Sequence, residues 1–188
     1  MRKAAFLKTA LSDFRHAGTL LPSSQKVSDE IGHALNGHRF IVEYGAGDGA
    51  VTHQILRHMP ADGKLLALEI NEEFADALAG VADARLSVKR QDVIHFLHNG
   101  AIELPRVEAV VSGIPLSFLE PETRAAVMRR TKEILAPGGT FVIYQASPFF
   151  FPLMRMYFPN AKMHLSLRNL LPPYFIAVAR NDVLPDEN

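Results

Sequence analysis

The sequence predicts a three-layer α/β fold with a mostly parallel sheet of seven strands. Apolar segments of strand character alternate with segments in which apolar residues recur every three or four positions. This alternation is typical of a parallel sheet with right-handed crossovers. The last two predicted strands have no helix between them, which indicates a terminal antiparallel hairpin. The predicted strands cover residues 39–44, 64–70, 85–89, 107–112, 139–145, 162–168 and 174–180, and the predicted helices cover 50–59, 71–80 and 121–135.

Composition indicates a single domain over residues 1–188, with a Rossmann-like core at 36–180. A chain of 188 residues, 48% of them hydrophobic, can bury one good core and is short for two domains. The 20 basic and 20 acidic side chains cancel, so no global field indicates a nucleic-acid partner. There is no cysteine and the eight histidines are scattered, so we expect no metal site. We also expect neither a signal peptide nor a membrane-spanning segment.

A glycine-rich loop follows the first predicted strand and is typical of a nucleotide-binding turn. Glycine allows the chain to turn sharply from strand to helix and lets the backbone lie against a ligand. The loop alone does not decide between S-adenosylmethionine and a dinucleotide as the cofactor. Gly45, Gly47 and Ala50 match the dinucleotide-binding pattern, and Glu69 lies about 20 residues further on, where that pattern has its ribose-binding acid. The predicted cofactor-binding residues here are Glu43, Tyr44, Gly45, Ala46, Gly47 and Gly49.

Two details favour S-adenosylmethionine over a dinucleotide. Glu43 lies two residues before the first glycine, where a carboxylate would repel a pyrophosphate but attract the cationic amino-acid end of S-adenosylmethionine. Gly49 fills a position that the dinucleotide pattern does not require. Five alternating units followed by a hairpin are also typical of a class I methyltransferase sheet.

The ends of the second and third strands, with Ser112 at the end of the fourth, complete the predicted cofactor site. Glu69 and Ile70 end the second strand, and Asp92 and Val93 follow the third. In methyltransferases a carboxylate at the latter position often meets the adenine amino group, and the next backbone amide meets the ring. Asp92 is also a favoured helix N-cap, and the two roles can coexist.

The segment after the fourth strand, Ser112–Leu116, is predicted to border the acceptor. In open parallel sheets, ligands bind beyond the carboxyl ends of the strands, where the strand order reverses. Nucleic-acid amino methyltransferases usually have an aromatic residue where this chain has Leu116, so a base has no obvious platform unless Phe118 supplies it. The alternative is a plain turn broken by Gly113 and Pro115.

Taken together, these motifs resemble the small bacterial phospholipid N-methyltransferases over nearly the whole chain. Those enzymes are similar to the ribosomal RNA adenine dimethylases and convert phosphatidylethanolamine towards phosphatidylcholine. The chain departs from the family pattern at Asp48–Ala50 and is one residue longer at Leu170–Leu171. The resemblance is carried by the segments Gly18–Ser24, Glu43–Gly49, Ser112–Leu116, Pro137–Gly139 and Asn169–Pro173.

The resemblance implies that Glu43, Gly45, Gly47 and Glu69 hold the cofactor, and that Gly113, Ile114, Pro115 and Leu116 bind the substrate beside Ser112. Methyl transfer to an amine depends mainly on alignment and partial desolvation, so a strong base is not obligatory. Ser112 and Tyr144 are the predicted catalytic residues, as contacts to the amine or phosphate. The sequence identifies no general base.

Two segments could contact a membrane. In residues 1–16 an apolar face is flanked by basic side chains, within a predicted N-terminal amphipathic helix and cofactor-lid segment at 1–25. The alternative for this helix is docking on the protein's own body. Residues 149–158 are unusually apolar for a connection between strands, and their alternative role is core packing.

The leading hypothesis is an S-adenosylmethionine-dependent N-methyltransferase that acts on phosphatidylethanolamine. We expect a membrane phospholipid as partner and a cytoplasmic protein that is peripheral to the inner face of the membrane, with nucleic acid less favoured. The alternatives are an rRNA adenine N6-methyltransferase and a non-catalytic S-adenosylmethionine-binding module, with a dinucleotide oxidoreductase a distant fourth. The sequence predicts no oligomeric state.

Overall fold

A computed structural model of the chain describes residues 24–99, 104, 106–166 and 173–182, for residues 24–26 the backbone alone. Seven strands form one sheet: β1 Phe40–Tyr44, β2 Lys64–Glu69, β3 Leu86–Arg90, β4 Val107–Ser112, β5 Leu135–Gln145, β6 Lys162–Ser166 and β7 Tyr174–Arg180. Six helices accompany them: α1 Ser24–Ala34, α2 Ala50–His58, α3 Glu72–Ala79, α4 Val93–Asn99, α5 Pro121–Ile134 and α6 Phe151–Tyr157. Short 3-10 helices cover Leu116–Phe118 and Pro148–Phe150.

The strand order is β3-β2-β1-β4-β5-β7-β6. The first five strands run parallel, whereas β7 pairs antiparallel with both β5 and β6. The order reverses between β1 and β4, so the loops after these two strands share the carboxyl edge where ligands bind in such sheets. This architecture confirms the predicted mostly parallel, seven-stranded α/β fold with its antiparallel pair at the end.

The core lies on both faces of the sheet. On one face, α1 and α2 bury Val27, Ile31 and Ile55 against strand residues such as Ile41 and Val111. On the other face, α4, α5 and α6 bury their apolar side chains, Phe96, Met128 and Met154 among them, against strand residues such as Val42 and Val110. Because side chains alternate along a strand, neighbouring residues of one strand belong to different layers.

Several elements differ from the sequence-based expectation. Helix α1 and helix α6 were not predicted, and β5 begins at Leu135, four residues before the predicted start at 139. The early start follows from pairing of Leu135 with Val107, after which the register shifts before Ala109 pairs with Thr140. The predicted amphipathic helix at 1–16, the segment Gly18–Pro22 and most of the 169–173 connection lie outside the described residues.

Candidate cofactor and acceptor site

The glycine loop after β1 contains three left-handed glycines, each under a different constraint. Gly45, Gly47 and Gly49 have φ values of 72°, 57° and 85°, a backbone region that residues other than glycine rarely adopt. A Cβ on Gly45 would come within 2.9 Å of Ile114 Cγ2, and one on Gly49 within 2.6 Å of Leu78 Cδ2. A Cβ on Gly47 would meet nothing within 4 Å. Gly47 therefore borders open space, as a residue that lies against a ligand must.

Backbone hydrogen bonds fix this loop to the end of β2. The amides of Gly45 and Ala46 both donate to the carbonyl oxygen of Leu68, at 2.9 and 3.2 Å. The amide of Gly47 donates to Glu69 Oε2 at 2.7 Å, and the amide of Asn71 donates to Glu69 Oε1 at 2.7 Å. The structure thus joins the two parts of the predicted cofactor motif directly, with the Glu69 carboxylate oriented by two backbone donors.

Glu43 is fully buried on β1, beneath the loop. Its Oε2 accepts a 2.6 Å hydrogen bond from Thr52 Oγ1 on α2, while Oε1 has no partner among the described residues. Burial raises the pKa of Glu43 to about 8, a shift that the Thr52 hydrogen bond opposes and the nearby charges of Glu69 and Asp48 reinforce. A cationic ligand beside this group would lower its pKa again, because an opposite charge favours the carboxylate.

The residues after β2 and β3 are partly exposed at the same edge. Ile70 is half-buried directly after Glu69. Asp92 Oδ1 accepts a 3.0 Å hydrogen bond from the amide of His95, so Asp92 caps the first turn of α4. Val93 is 6% exposed and its side chain belongs to the core, which leaves its backbone as the part that a ligand could contact.

The acceptor segment after β4 lies directly against the glycine loop. The amide of Gly113 donates to the carbonyl oxygen of Tyr44 at 2.9 Å, and the carbonyl oxygen of Ile114 accepts from Gln145 Nε2 at 2.9 Å. A Cβ on Gly113 would lie 2.3 Å from the hydroxyl oxygen of Tyr144 and 3.2 Å from the carbonyl oxygen of Gly45. Only glycine allows the Tyr144 hydroxyl to sit this close to the turn.

Tyr144 is half-buried near three acidic groups and a second tyrosine. Burial raises its pKa well above the usual range, and the charges of Glu43, Asp48 and Glu69, together with Tyr174, act in the same direction. The rings of Tyr144 and Tyr174 are 6.2 Å apart, centroid to centroid. The Tyr144 hydroxyl therefore stays protonated near neutral pH and can donate a hydrogen bond.

Three predicted site residues are placed differently from the rest. Ser112 is paired with Tyr44 and Ile143, so all three side chains lie on the α4–α6 face, whereas Glu43 and Tyr144 lie on the α1–α2 face. The Ser112 hydroxyl is fully buried, with no hydrogen-bond partner among the described residues. Leu116 and Tyr44 are also fully buried in the core. The roles predicted for Ser112, Leu116 and Tyr44 stay predictions, and for Ser112 they include the main-chain carbonyl as well as the hydroxyl.

The residues present fit S-adenosylmethionine. The space beside Gly47 is open, Glu69 is an oriented ribose-type acid, and Glu43 Oε1 is a buried acceptor atom without a partner among the described residues. Sequence reasoning missed Thr52, which orients Glu43, and Gln145, which fixes Ile114. The signal for Thr52 was available: it is a polar residue on the buried face of a helix, nine positions after the acid that it contacts.

The comparison with protein families decides the class. The model of a methyltransferase domain matches residues 41–139, more than half of the chain. The chain belongs to this methyltransferase family. As a class I methyltransferase it is an enzyme that uses S-adenosylmethionine, which confirms the predicted activity class and cofactor.

The chain is also similar to individual relatives and to a solved structure. An ornithine lipid N-methyltransferase of Singulisphaera acidiphila is 31% identical over 140 residues, which cover 71% of this chain and 72% of that protein. A carboxy-S-adenosyl-L-methionine synthase of Pseudomonas entomophila is 26% identical over 116 residues, and the match spans 60% of this chain and 47% of that protein. The 1,6-didemethyltoxoflavin N1-methyltransferase of Burkholderia thailandensis, solved with its substrate and S-adenosylhomocysteine, has a TM-score of 0.71 at 18% identity and covers 97% of this chain and 90% of its own.

The solved structure shows the shared fold, and the name of the Singulisphaera acidiphila relative gives a nitrogen acceptor and a lipid substrate for that enzyme. The phosphatidylethanolamine specificity, the membrane contact and the relation to the ribosomal RNA adenine dimethylases stay predictions. No helix among the described residues is long and apolar enough to cross a membrane.

Proposed function

We propose that this methyltransferase methylates the primary amine of a membrane lipid headgroup, with phosphatidylethanolamine as the acceptor. The observation that carries the proposal is the 31% identity to an ornithine lipid N-methyltransferase over more than two thirds of both chains. That enzyme's name gives a nitrogen acceptor and a lipid substrate. The predicted resemblance to phospholipid N-methyltransferases agrees with both and favours phosphatidylethanolamine among lipid amines.

Exposed aromatic side chains beside the acceptor segment support a lipid acceptor. Phe118 is 47% exposed and Phe149 is 78% exposed. They lie in the two 3-10 helices that follow β4 and β5, and these two helices contact each other. Apolar side chains grouped next to a binding cleft are suited to contact acyl chains or the bilayer interface.

The segment 149–158 has both buried and exposed apolar side chains. Phe150, Met154 and Phe158 are buried in the core, as expected for apolar residues of this kind. Phe149 and Met156 are each more than three quarters exposed. These two side chains are the part of the segment that we propose contacts the membrane.

The site residues favour methyl transfer by alignment and desolvation. S-adenosylmethionine would supply an electrophilic methyl group to the amine. The backbone of Ser112–Pro115 borders the amine, and the Tyr144 hydroxyl, protonated near neutral pH, donates to the headgroup phosphate. Glu69 and Gly47 hold the ribose side of the cofactor, and Glu43 stabilises its cationic end. We assign no general base.

A second acceptor is favoured by the same comparison. Because the relative is an ornithine lipid N-methyltransferase, the amine of an ornithine lipid is the alternative substrate for the same site. Both acceptors place the protein at the lipid surface. We propose that it is cytoplasmic and binds the inner face of the membrane peripherally, with residues 1–16 as a further contact.

The test is to incubate the protein with labelled S-adenosylmethionine and one acceptor at a time: phosphatidylethanolamine vesicles, ornithine-lipid vesicles or ribosomal RNA. We expect label in the phosphatidylethanolamine fraction. Label in ornithine lipid alone would move the proposal to the second acceptor. Label in RNA alone, or in no acceptor under conditions where the cofactor binds, would contradict it.

A further inference from the structure

Helices α1 and α2 bring together a group of metal-ligating side chains that the sequence does not reveal. Asp29 and His33 lie four residues apart on α1, and His58 ends α2. One ligating atom from each of the three side chains lies within 4.8 Å of the others. The histidines are 25 positions apart in the chain, which is why they look scattered in the sequence.

The packing of the two helices holds the histidines in this arrangement. A Cβ on Gly32 would lie 2.8 Å from His58 Cδ2 and 3.0 Å from the carbonyl oxygen of Gln54. Glycine at this position of α1 thus allows the close approach of α2 and leaves room for the His58 ring. The rings of His33 and His58 are 4.1 Å apart, centroid to centroid.

The three ligating atoms have nearly the spacing that a small cation requires. His58 Nε2 lies 3.4 Å from Asp29 Oδ1, and His33 Nδ1 lies 3.7 Å from the same oxygen. Tetrahedral bonds of about 2.0–2.1 Å to zinc place neighbouring ligand atoms about 3.3 Å apart. Side-chain rotation can supply the difference, because the His33 and Asp29 side chains are 64% and 41% exposed.

The present hydrogen bonds do not prevent ligation. His33 Nδ1 is 3.0 Å from the main-chain oxygen of Asp29, a single exposed bond that a metal–nitrogen bond can replace. Two imidazoles and a carboxylate are the ligand set that zinc-type divalent ions accept, with water in the open position. The exposed side of the cluster leaves space for that water.

We propose that Asp29, His33 and His58 form a binding site for a divalent transition-metal ion of the zinc type. The site is distinct from the cofactor site, because α2 begins at the glycine loop and its carboxyl end, with His58, lies at the opposite edge of the sheet. A bound ion would link α1 to α2. It would thereby fix α1 over the part of the core that contains Ile31 and Leu35.

The experiment uses the full chain without an affinity tag, treated with EDTA and then dialysed free of it. Zn²⁺ binding is measured by titration calorimetry, and Co²⁺ binding by the visible absorption of the bound ion. We expect one ion per chain. His33→Ala and Asp29→Asn should each weaken binding at least about tenfold, the loss typical when a metal site is altered.

His98→Ala is the matched control, because His98 is an exposed helical histidine outside the cluster. It should bind Zn²⁺ as the parent chain does. Asp29→Asn and His33→Ala change side chains with exposed surface, so the test does not depend on the more buried His58. The proposal is overturned if the parent chain binds no Zn²⁺, or if both variants bind as the His98→Ala control does.

Discussion

The two halves of the site are constructed differently. The cofactor half lies at the ends of β1 and β2 and consists of backbone amides, left-handed glycines and buried carboxylates. Hydrogen bonds from backbone amides and from Thr52 hold these carboxylates in place. Beyond β4 and β5, the acceptor half consists of a short turn, a half-buried tyrosine and exposed phenylalanines. The first half needs particular atoms at particular positions, whereas the second needs an apolar surface of the right extent. This difference explains why the sequence motif and the structure both indicate the cofactor, whereas the proposed acceptor is inferred from similarity to a known enzyme.

The largest effect is expected from Glu69→Ala, which breaks the cofactor half. The change removes the acceptor of two backbone hydrogen bonds and the proposed ribose contact. We expect S-adenosylmethionine to bind about 100-fold more weakly, since hydrogen bonds to a charged group contribute about 1.5–3 kcal/mol each. Titration calorimetry measures the affinity for S-adenosylmethionine. Glu122→Ala, an exposed acid on α5, is the control, and equal affinity in the two variants would remove the ribose assignment.

A glycine pair separates backbone strain from ligand contact. Gly47 and Gly37 are both left-handed, with φ of 57° and 85°, and a Cβ on either would meet nothing within 4 Å. Changing either glycine to alanine should therefore lower the free energy of unfolding by a similar amount, about 1–2 kcal/mol. Gly47→Ala should in addition weaken cofactor binding about tenfold or more, because its Cβ would occupy the ligand's space. Equal cofactor affinities in the two variants would show that Gly47 does not contact the ligand.

The buried acid of the cofactor half should be visible in the pH dependence of stability. The pKa of Glu43 is about 8 in the folded chain against an ordinary value of 4.5, so between these values the folded state holds a proton that the unfolded state has lost. Its contribution to stability is fully present below about pH 4.5 and is lost as the pH rises towards about 8. Glu43→Gln does not titrate.

Urea unfolding at several pH values compares the two proteins. The free energy of unfolding of Glu43→Gln, relative to that of the parent chain, should rise between about pH 5 and pH 8 and then level off. The buried amide adds an offset that does not depend on pH. Parallel pH profiles for the two proteins would show that Glu43 titrates near its ordinary value.

The smallest effect is expected in the acceptor half. Phe118→Ser with Phe149→Ser should leave stability and cofactor affinity unchanged, because both side chains are exposed. The KM for lipid in vesicles should rise by about threefold to tenfold through the loss of apolar contact. Leu165→Ser is the control, because it removes an exposed apolar side chain from the edge strand β6, which is separated from β5 by β7. If the double phenylalanine variant and the Leu165→Ser control have the same KM for lipid, the two phenylalanines do not contact the membrane.

Much of the fold could be predicted from the sequence because its signals are local. Strand periodicity, glycine spacing and the acid at the end of β2 are each readable within a few residues, and the structure brings Gly47 and Glu69 together as the motif requires. The side-chain faces were harder to predict. Ser112 follows an apolar strand, and only the pairing with Tyr44 and Ile143 shows that its hydroxyl faces the opposite layer from Tyr144.

Long-range packing accounts for what the sequence did not reveal. His58 approaches His33 because helices α1 and α2 pack against each other at a position that depends on Gly32. No local pattern encodes such contacts. Helix α6 was missed for another reason: its sequence, Phe151–Tyr157, is apolar nearly throughout and shows little helical periodicity.

The most direct test of the proposed acceptor is a competition within one membrane. Vesicles that contain phosphatidylethanolamine, an ornithine lipid and a lipid without an amine are incubated with the protein and S-adenosylmethionine, and the lipids are identified by mass spectrometry. We predict that phosphatidylethanolamine becomes heavier by one methyl group or more, and that Glu69→Ala reacts much more slowly when S-adenosylmethionine is limiting. Phosphatidylethanolamine that stays unmethylated while the protein binds its cofactor would contradict the account.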